Sequence, residues 1–354
     1  MHSAPDLPPA LFRRFPALAE TIPWLPLSCC PTPIEPLRLP GVGGEVWVKR
    51  DDLSGEAYGG NKVRKLEFLL AEAQRQGAER LITAGAAGSH HALATTVYGR
   101  SLGLAVSLVL FPQSRTEHVR EVLLLDQALG AELRWVPRME MIPPGLWAAR
   151  LAHRGERTVV IPPGGSDAAG TLGYVSAALE LAEQVDAGEA PAPQVAHVAT
   201  GTMGTTVGLA IGLVLAGLPT RVNAYRITGK LVTNEWGLRG LIRRTSALLR
   251  SGGVPVPPAE EVRRRITLRH EQLGAGYGQE TEAARLAAER FAEADLILDP
   301  TYTAKAAAGL LAALEARERG PHLFWQTLSA AEPPCAPARV ADLPEPFRRY
   351  LDGR

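Results

Sequence analysis

The chain has 354 residues, with 38 Lys plus Arg against 37 Asp plus Glu, and a formal net charge of +1; so even a balance excludes nucleic acid or an acidic membrane as the main partner. Hydrophobic residues make up 46% and charged residues 21%, which excludes bulk disorder and, at this length, suggests about two domains. Three cysteines, Cys29, Cys30 and Cys335, are too few for a disulfide scaffold, and no Cys/His cluster has zinc spacing, so no metal is expected.

Residues 1–40 are Pro-rich and weakly patterned, a segment expected to wrap over a core, and they lack the uninterrupted apolar run of a signal peptide. Residues 45–49 alternate as a half-buried strand does. From 64 onward Leu66, Leu69, Leu70 and Ala73 recur at helical spacing, with Gly77 as a stop. A strand at 81–83 leads through a glycine-rich turn into a helix at 90–101. A strand at 105–111, a helix near 116–129 and a strand near 132–136 follow. Further strands are predicted at 158–161, 194–199, 221–227, 296–298 and 322–325. Further helices are predicted near 169–186, 204–217, 230–250, 280–294 and 303–318. Gly/Pro-rich breaks at 137–145 and 162–165 are candidate domain crossings, and 186–193 reads as a surface loop. No solenoid period is present, and the longest apolar stretch, 207–218, is too short to span a bilayer. A cytoplasmic protein is expected.

Short apolar strands alternating with helices read as βαβ units around parallel sheets, an α/β fold. In such folds ligands sit beyond the C-terminal strand ends, which singles out four segments. Gly59-Gly60-Asn61-Lys62 places a lysine at a helix entrance, where the dipole disfavours its charge and readies it for Schiff-base chemistry. On spacing alone, a tight turn followed by a solvated lysine is the commoner outcome. Gly85 to His91 offers exposed N–H groups at a helix start for an anion, with Ser89 equally an ordinary N-cap. Thr200 to Thr206 suits a phosphate monoester, although it matches neither the P-loop nor the dinucleotide fingerprint and could simply be a capped helix start. The tyrosines of Gly276-Tyr277-Gly278 and Asp299-Pro300-Thr301-Tyr302-Thr303 stand in loops, for packing or for chemistry.

In this order the segments resemble the pyridoxal-phosphate (PLP) enzymes of the tryptophan-synthase-β-like fold, fold type II. The branch that matches best holds D-cysteine desulfhydrase and 1-aminocyclopropane-1-carboxylate (ACC) deaminase. The residues that carry the likeness are Lys49 to Ser54, the long run Gly59 to Glu67, Ser89 with His91, Pro163 to Ser166, Gly201 to Gly208, Gly276 to Gly278 and Leu298 to Ala306. The resemblance implies two open, twisted, mainly parallel sheets with helices on both faces and PLP in the cleft between domains. A small domain, 64–164, is inserted into a large one made of 1–63 and 165–354. It further implies that Lys62 binds PLP covalently and that Asn61, His90, the loop of Gly201, Thr202, Met203, Gly204 and Thr205, and Thr327 contact the cofactor. Ser89, His90, His91, Tyr277, Tyr302 and Thr303 face the substrate, and Lys62, Ser89, Tyr277 and Tyr302 carry catalysis.

Three stretches depart from the family pattern. His90 stands where the family has an Asn bonding the cofactor's phenolic oxygen; Thr202 and Met203 replace Ser and Gly in the phosphate loop; Leu328 and Ser329 replace two glycines after Thr327. Thr303 and Thr327 are the desulfhydrase-like pair, where ACC deaminases have Glu and Leu. The expected activity is thus α,β-elimination from D-cysteine or a related β-substituted amino acid, by a cytoplasmic homodimer. The alternatives are an ACC deaminase-like ring opening and, from another class, a catalytically altered binding or assembly protein of the same fold.

Overall fold

A computed structural model describes residues 7–353. In chain order its elements are α1 (Ala10–Arg14), β1 (Ile34–Pro36), β2 (Val46–Lys49), α2 (Asn61–Arg75), β3 (Arg80–Ala86), α3 (His90–Ser101), β4 (Ala105–Phe111), α4 (Glu117–Ala128), β5 (Glu132–Trp135), α5 (Ile142–Ala152) and β6 (Thr158–Val160). Then follow α6 (Ala168–Asp186), β7 (Val195–Thr200), α7 (Gly204–Leu215), β8 (Arg221–Arg226), α8 (Glu235–Ser251), α9 (Ala259–Arg264), β9 (Ile266–Arg269), α10 (Glu282–Ala292), α11 (Thr303–Glu315), β10 (His322–Trp325) and α12 (Glu345–Asp352).

The strands form two sheets, the α/β arrangement expected from the sequence. One has four strands in the order β5-β4-β3-β6, all parallel. Its apolar runs are near-continuous because both faces are covered. Leu81 and Val106 pack with α3 and α4, while Ile82 and Val109 alternate to the other face and meet Ala149 of α5. The other has six strands in the order β1-β2-β10-β7-β8-β9, with only β1 antiparallel. One face packs against α6, α7 and α8 and the other against α10 and α11.

Four charged side chains join the large sheet to the helix that carries the candidate lysine. Lys49 of β2 and Arg64 of α2 both meet Glu180 of α6, at 2.6 and 2.8 Å, and Arg64 also pairs with Asp51 at 2.7 Å. All four are buried. Asp51 also accepts from Tyr174 and Trp325, so the start of α2 is held against β2, α6 and β10.

Several elements differ from the sequence reading. Residues 296–298 form no strand: Leu296 and Leu298 are buried and Ile297 is exposed, so the period of two is there but no neighbouring strand pairs with it. The break assigned to 137–145 contains the start of α5, whose prolines sit in the first turn, where an N–H has no helical partner to lose. The helix predicted from 230 begins at Glu235, after Asn234 caps it by accepting from Gly237 N at 2.8 Å. The short elements α1, β1, α9, β9 and α12 were not read from the sequence. The last of these lays Phe347 edge-on against Trp135 of β5, centroids 5.2 Å apart, so the C-terminal segment joins the core of the four-stranded sheet. Among the described residues no helix is long and apolar enough to cross a membrane.

Candidate active site

The C-terminal ends of β3, β7 and β10 converge on a cavity of about 600 Å³, the place where open α/β sheets bind ligands. Of the residues singled out from sequence, Asn61, Lys62, Ser89, His90, His91, Gly201 to Thr205, Tyr277, Tyr302 and Thr327 all line it. Thr303 does not. It is buried in the first turn of α11, where its hydroxyl accepts from Asp299 N at 2.8 Å and donates to Asp299 Oδ2 at 2.8 Å. The expectation that Thr303 faces the substrate is corrected accordingly: its hydroxyl is fully committed to a neighbouring turn.

Lys62 reaches the cavity because the chain turns sharply before α2. Gly60 has φ +79°, and a Cβ there would lie 2.5 Å from the Thr327 carbonyl oxygen, so only glycine allows this approach. Lys62 Nζ has no hydrogen-bond partner among the described residues and lies 5.9 Å from the Tyr302 ring centroid. Burial pushes its pKa down to about 8, with Asp299 opposing. An amine so placed is a nucleophile near neutral pH.

One turn further along the same face of α2 stands Lys65, which the sequence reading did not assign to the site. Its Nζ donates to the Gly164 carbonyl at 3.1 Å and to Ser166 Oγ at 3.3 Å. Burial and the neighbouring Lys62 hold its pKa well below the usual lysine range. The i, i+3 spacing from Lys62 was the signal in the sequence. Ser166 Oγ also accepts from Gly204 N at 3.2 Å and contacts Thr202 Oγ1 at 2.6 Å. Lys65, Ser166 and the N-terminus of α7 thus make a compact cradle for an anion. A Cβ on Gly204 would lie 2.6 Å from Ser166 Oγ and fill it. Met203, which replaces the family glycine, keeps the left-handed backbone at φ +69°, a conformation that costs about 1–2 kcal/mol for a residue with a Cβ. Its side chain leaves the cradle toward α8, where Gly237 makes room. Asn61 Nδ2 donates to Thr205 Oγ1 at 3.0 Å, tying the starts of α2 and α7 together.

Ser89 caps α3, accepting from Ala92 N, and its side chain fits because Gly85 has no Cβ to meet it at 2.5 Å. His91 is buried, its Nε2 3.1 Å from Thr83 Oγ1, and burial with the two lysines keeps it neutral. The Tyr277 and Tyr302 hydroxyls are 2.8 Å apart, and burial raises the pKa of both. Asp299, another residue not assigned from sequence, accepts from the backbone N–H groups of Thr301, Tyr302 and Thr303 and so fixes the Tyr302 turn. The Thr327 hydroxyl has no partner among the described residues. Ser329, where the family has glycine, accepts from Gly59 N at 2.8 Å and supports the turn before Lys62.

An unpartnered amine with a lowered pKa, an anion cradle lining the same cavity and the N-terminus of α3 at Ser89 are the donor set that PLP requires, and they fit it. The profile of the pyridoxal-phosphate-dependent enzymes matches residues 26–323. The chain belongs to that family, and PLP is its cofactor.

It is 38% identical over 318 residues to the nocardicin C-9' epimerase of Nocardia uniformis subsp. tsuyamanensis, covering 88% of this chain and 94% of the relative. It is also 38% identical over 311 residues to the D-cysteine desulfhydrase of Yersinia enterocolitica, covering 84% and 90%. Among solved structures, that of an ACC deaminase homologue superposes with a TM-score of 0.78 at 33% identity, covering 92% of this chain and 96% of that one.

Proposed function

We propose that the protein is a PLP-dependent lyase that eliminates a β-leaving group from a small amino acid, D-cysteine or a relative, giving pyruvate, ammonia and sulfide with uptake of one water. One observation carries this reading. The only carboxylate among the described residues lining the cavity is Asp299, and both its oxygens are occupied by the 301–303 turn. Thr327, whose hydroxyl has no partner among the described residues, would then be the residue to meet the ring nitrogen of PLP, in place of an acid. Bound PLP would supply an electron sink, and one not held cationic would suit elimination of a β-leaving group.

The roles divide as follows. Lys62 holds the cofactor and moves the Cα proton. Lys65, Ser166 and the amides of Gly201 to Thr205 bind the phosphate. Ser89 and the first amides of α3 bind the substrate carboxylate, and His91 backs that wall. The Tyr277–Tyr302 pair gives a proton to the departing group. The active unit is read as a homodimer, by analogy with the family; a stable monomer mass in light scattering would overturn this. The same analogy divides the chain into 64–164 and the two flanking segments.

A second reading, epimerisation at Cα, is favoured by the half-buried apolar side chains of Phe111, Met139, Ile142 and Val232 on the cavity, more apolar surface than cysteine needs. A screen of D- and L-amino acids and ACC separates the readings, scoring keto acid, ammonia, sulfide and exchange of the Cα proton with D₂O. Sulfide and pyruvate from D-cysteine support elimination. Exchange with no keto acid supports epimerisation, and turnover of ACC above every β-substituted amino acid supports ring opening. Loss of cofactor on purification with no rescue by added PLP supports a binding or assembly role.

A further inference from the structure

His90 is held by a partner that none of the roles above uses. Its Nδ1 lies 2.6 Å from Tyr58 Oη. Tyr58 is buried, and its own carbonyl accepts from the Tyr98 hydroxyl, so the phenol is fixed in place. No other acceptor for the Tyr58 hydroxyl exists among the described residues. Burial raises the phenol pKa and, with His118 and Lys62 against Asp299, lowers that of the imidazole to about 3. The phenol therefore keeps its proton and the imidazole stays neutral. A neutral imidazole has one N–H and one bare nitrogen. With Tyr58 donating to Nδ1, the ring proton resides on Nε2. That nitrogen has no hydrogen-bond partner among the described residues, and His90 lines the same cavity as Lys62. The ring is backed by His118 at 4.6 Å between centroids and met by Tyr302 at 6.4 Å.

We propose that Tyr58 and His90 act as one unit, in which the Tyr58 hydroxyl locks His90 as the Nε2–H tautomer and that N–H is the donor presented to the phenolic oxygen of PLP. The proposal rests on the PLP reading above, but the lock itself exists without the cofactor. Tyr58 is a positioning residue here, acting through His90, and the pair performs with an imidazole what a side-chain amide does elsewhere in the family.

Two measurements test it. In cofactor-free protein with ¹⁵N-labelled histidine, ring resonances assigned to His90 by their loss in His90→Asn should show a protonated Nε2 and a bare Nδ1. A proton on Nδ1 overturns the lock, whatever the enzyme proves to do. In PLP-loaded protein, Tyr58→Phe should shift the pH midpoint of the cofactor's visible band. The same substitution should have no effect in the His90→Asn background, where the amide donor needs no lock. No shift in either background, or equal shifts in both, overturns the unit. Failure to load PLP at all overturns the proposed function, and the donor role with it, and leaves the lock to be judged by the resonances.

Discussion

Tyr277 and Tyr302, 25 residues apart in sequence, place their phenolic oxygens 2.8 Å from each other at the cavity wall. One donates to the other, which leaves a single O–H free for the substrate. The two rings are thus one proton donor. Tyr277→Phe and Tyr302→Phe are each expected to lower kcat by about 10²–10⁴-fold, the usual contribution of a general acid. The double variant should lose no more than the worse single one. Additive losses in steady-state kinetics would show that the phenols work separately.

Lys65→Gln removes the cradle's buried amine, which a bound phosphate dianion would hold in its charged form. A hydrogen bond to a charged group contributes about 1.5–3 kcal/mol, so Kd for PLP is expected to rise roughly 10- to 100-fold. Pyridoxal, which has no phosphate, should bind both proteins alike. Equal losses for the two ligands in a fluorescence titration would place Lys65 outside the phosphate site.

The Lys49–Glu180–Arg64–Asp51 cluster is buried where β2, α2, α6 and the 51–53 turn meet, and removing one charge strands the others. Glu180→Gln is expected to cost about 3–5 kcal/mol of stability, read as a lower urea midpoint at unchanged slope. A loss below about 1 kcal/mol would mean that Lys49 and Arg64 are satisfied without the carboxylate.

Asp126 is fully buried, and burial raises its pKa to about 8. Its Oδ1 lies 2.8 Å from Thr96 Oγ1, which in turn is 3.0 Å from the Ala92 carbonyl. With one hydroxyl proton for two acceptors, the chain closes when protonated Asp126 donates to Thr96 and Thr96 donates to Ala92. A raised folded pKa contributes stability that is fully present below the unfolded value of about 3.9 and is lost as pH rises toward 8. Stability should fall by about 1.4 kcal/mol per pH unit across that window from this group alone. Asp126→Asn should remove that slope and be the more stable form at pH 8. An unchanged pH profile in chemical denaturation would show that Asp126 is ionised in the folded protein.

The sequence was most legible where one element's own pattern decides its state. The run at 105–111 coincides with β4 because a strand covered on both faces is apolar throughout. Leu296 and Leu298 show the limit, since alternation reports which side chains are buried and not whether a neighbour pairs with the backbone. The paired glycines singled out Lys62, but their spacing alone favoured a solvated lysine, and only the resemblance carried by the run Gly59 to Glu67 made it the cofactor lysine. Lys65, Tyr58 and Asp299 did not, because their roles depend on Gly164, His90 and the Tyr302 turn, which only the folded chain brings to them. Thr303 was assigned to the substrate through the resemblance, as half of the desulfhydrase-like pair with Thr327, and a likeness in sequence does not tell which way a side chain turns: Tyr302 lines the cavity, whereas one residue further the helix carries Thr303 to Asp299.

The most direct test of the account is to reduce the PLP-loaded protein with borohydride, digest it and map the pyridoxyl group by mass spectrometry. The pyridoxyl group is expected on Lys62 alone, with loss of the visible band and of all turnover, and Lys62→Ala is expected to carry none. A pyridoxyl group on Lys65, which shares the cavity three residues away, on any other lysine, or on none would contradict it.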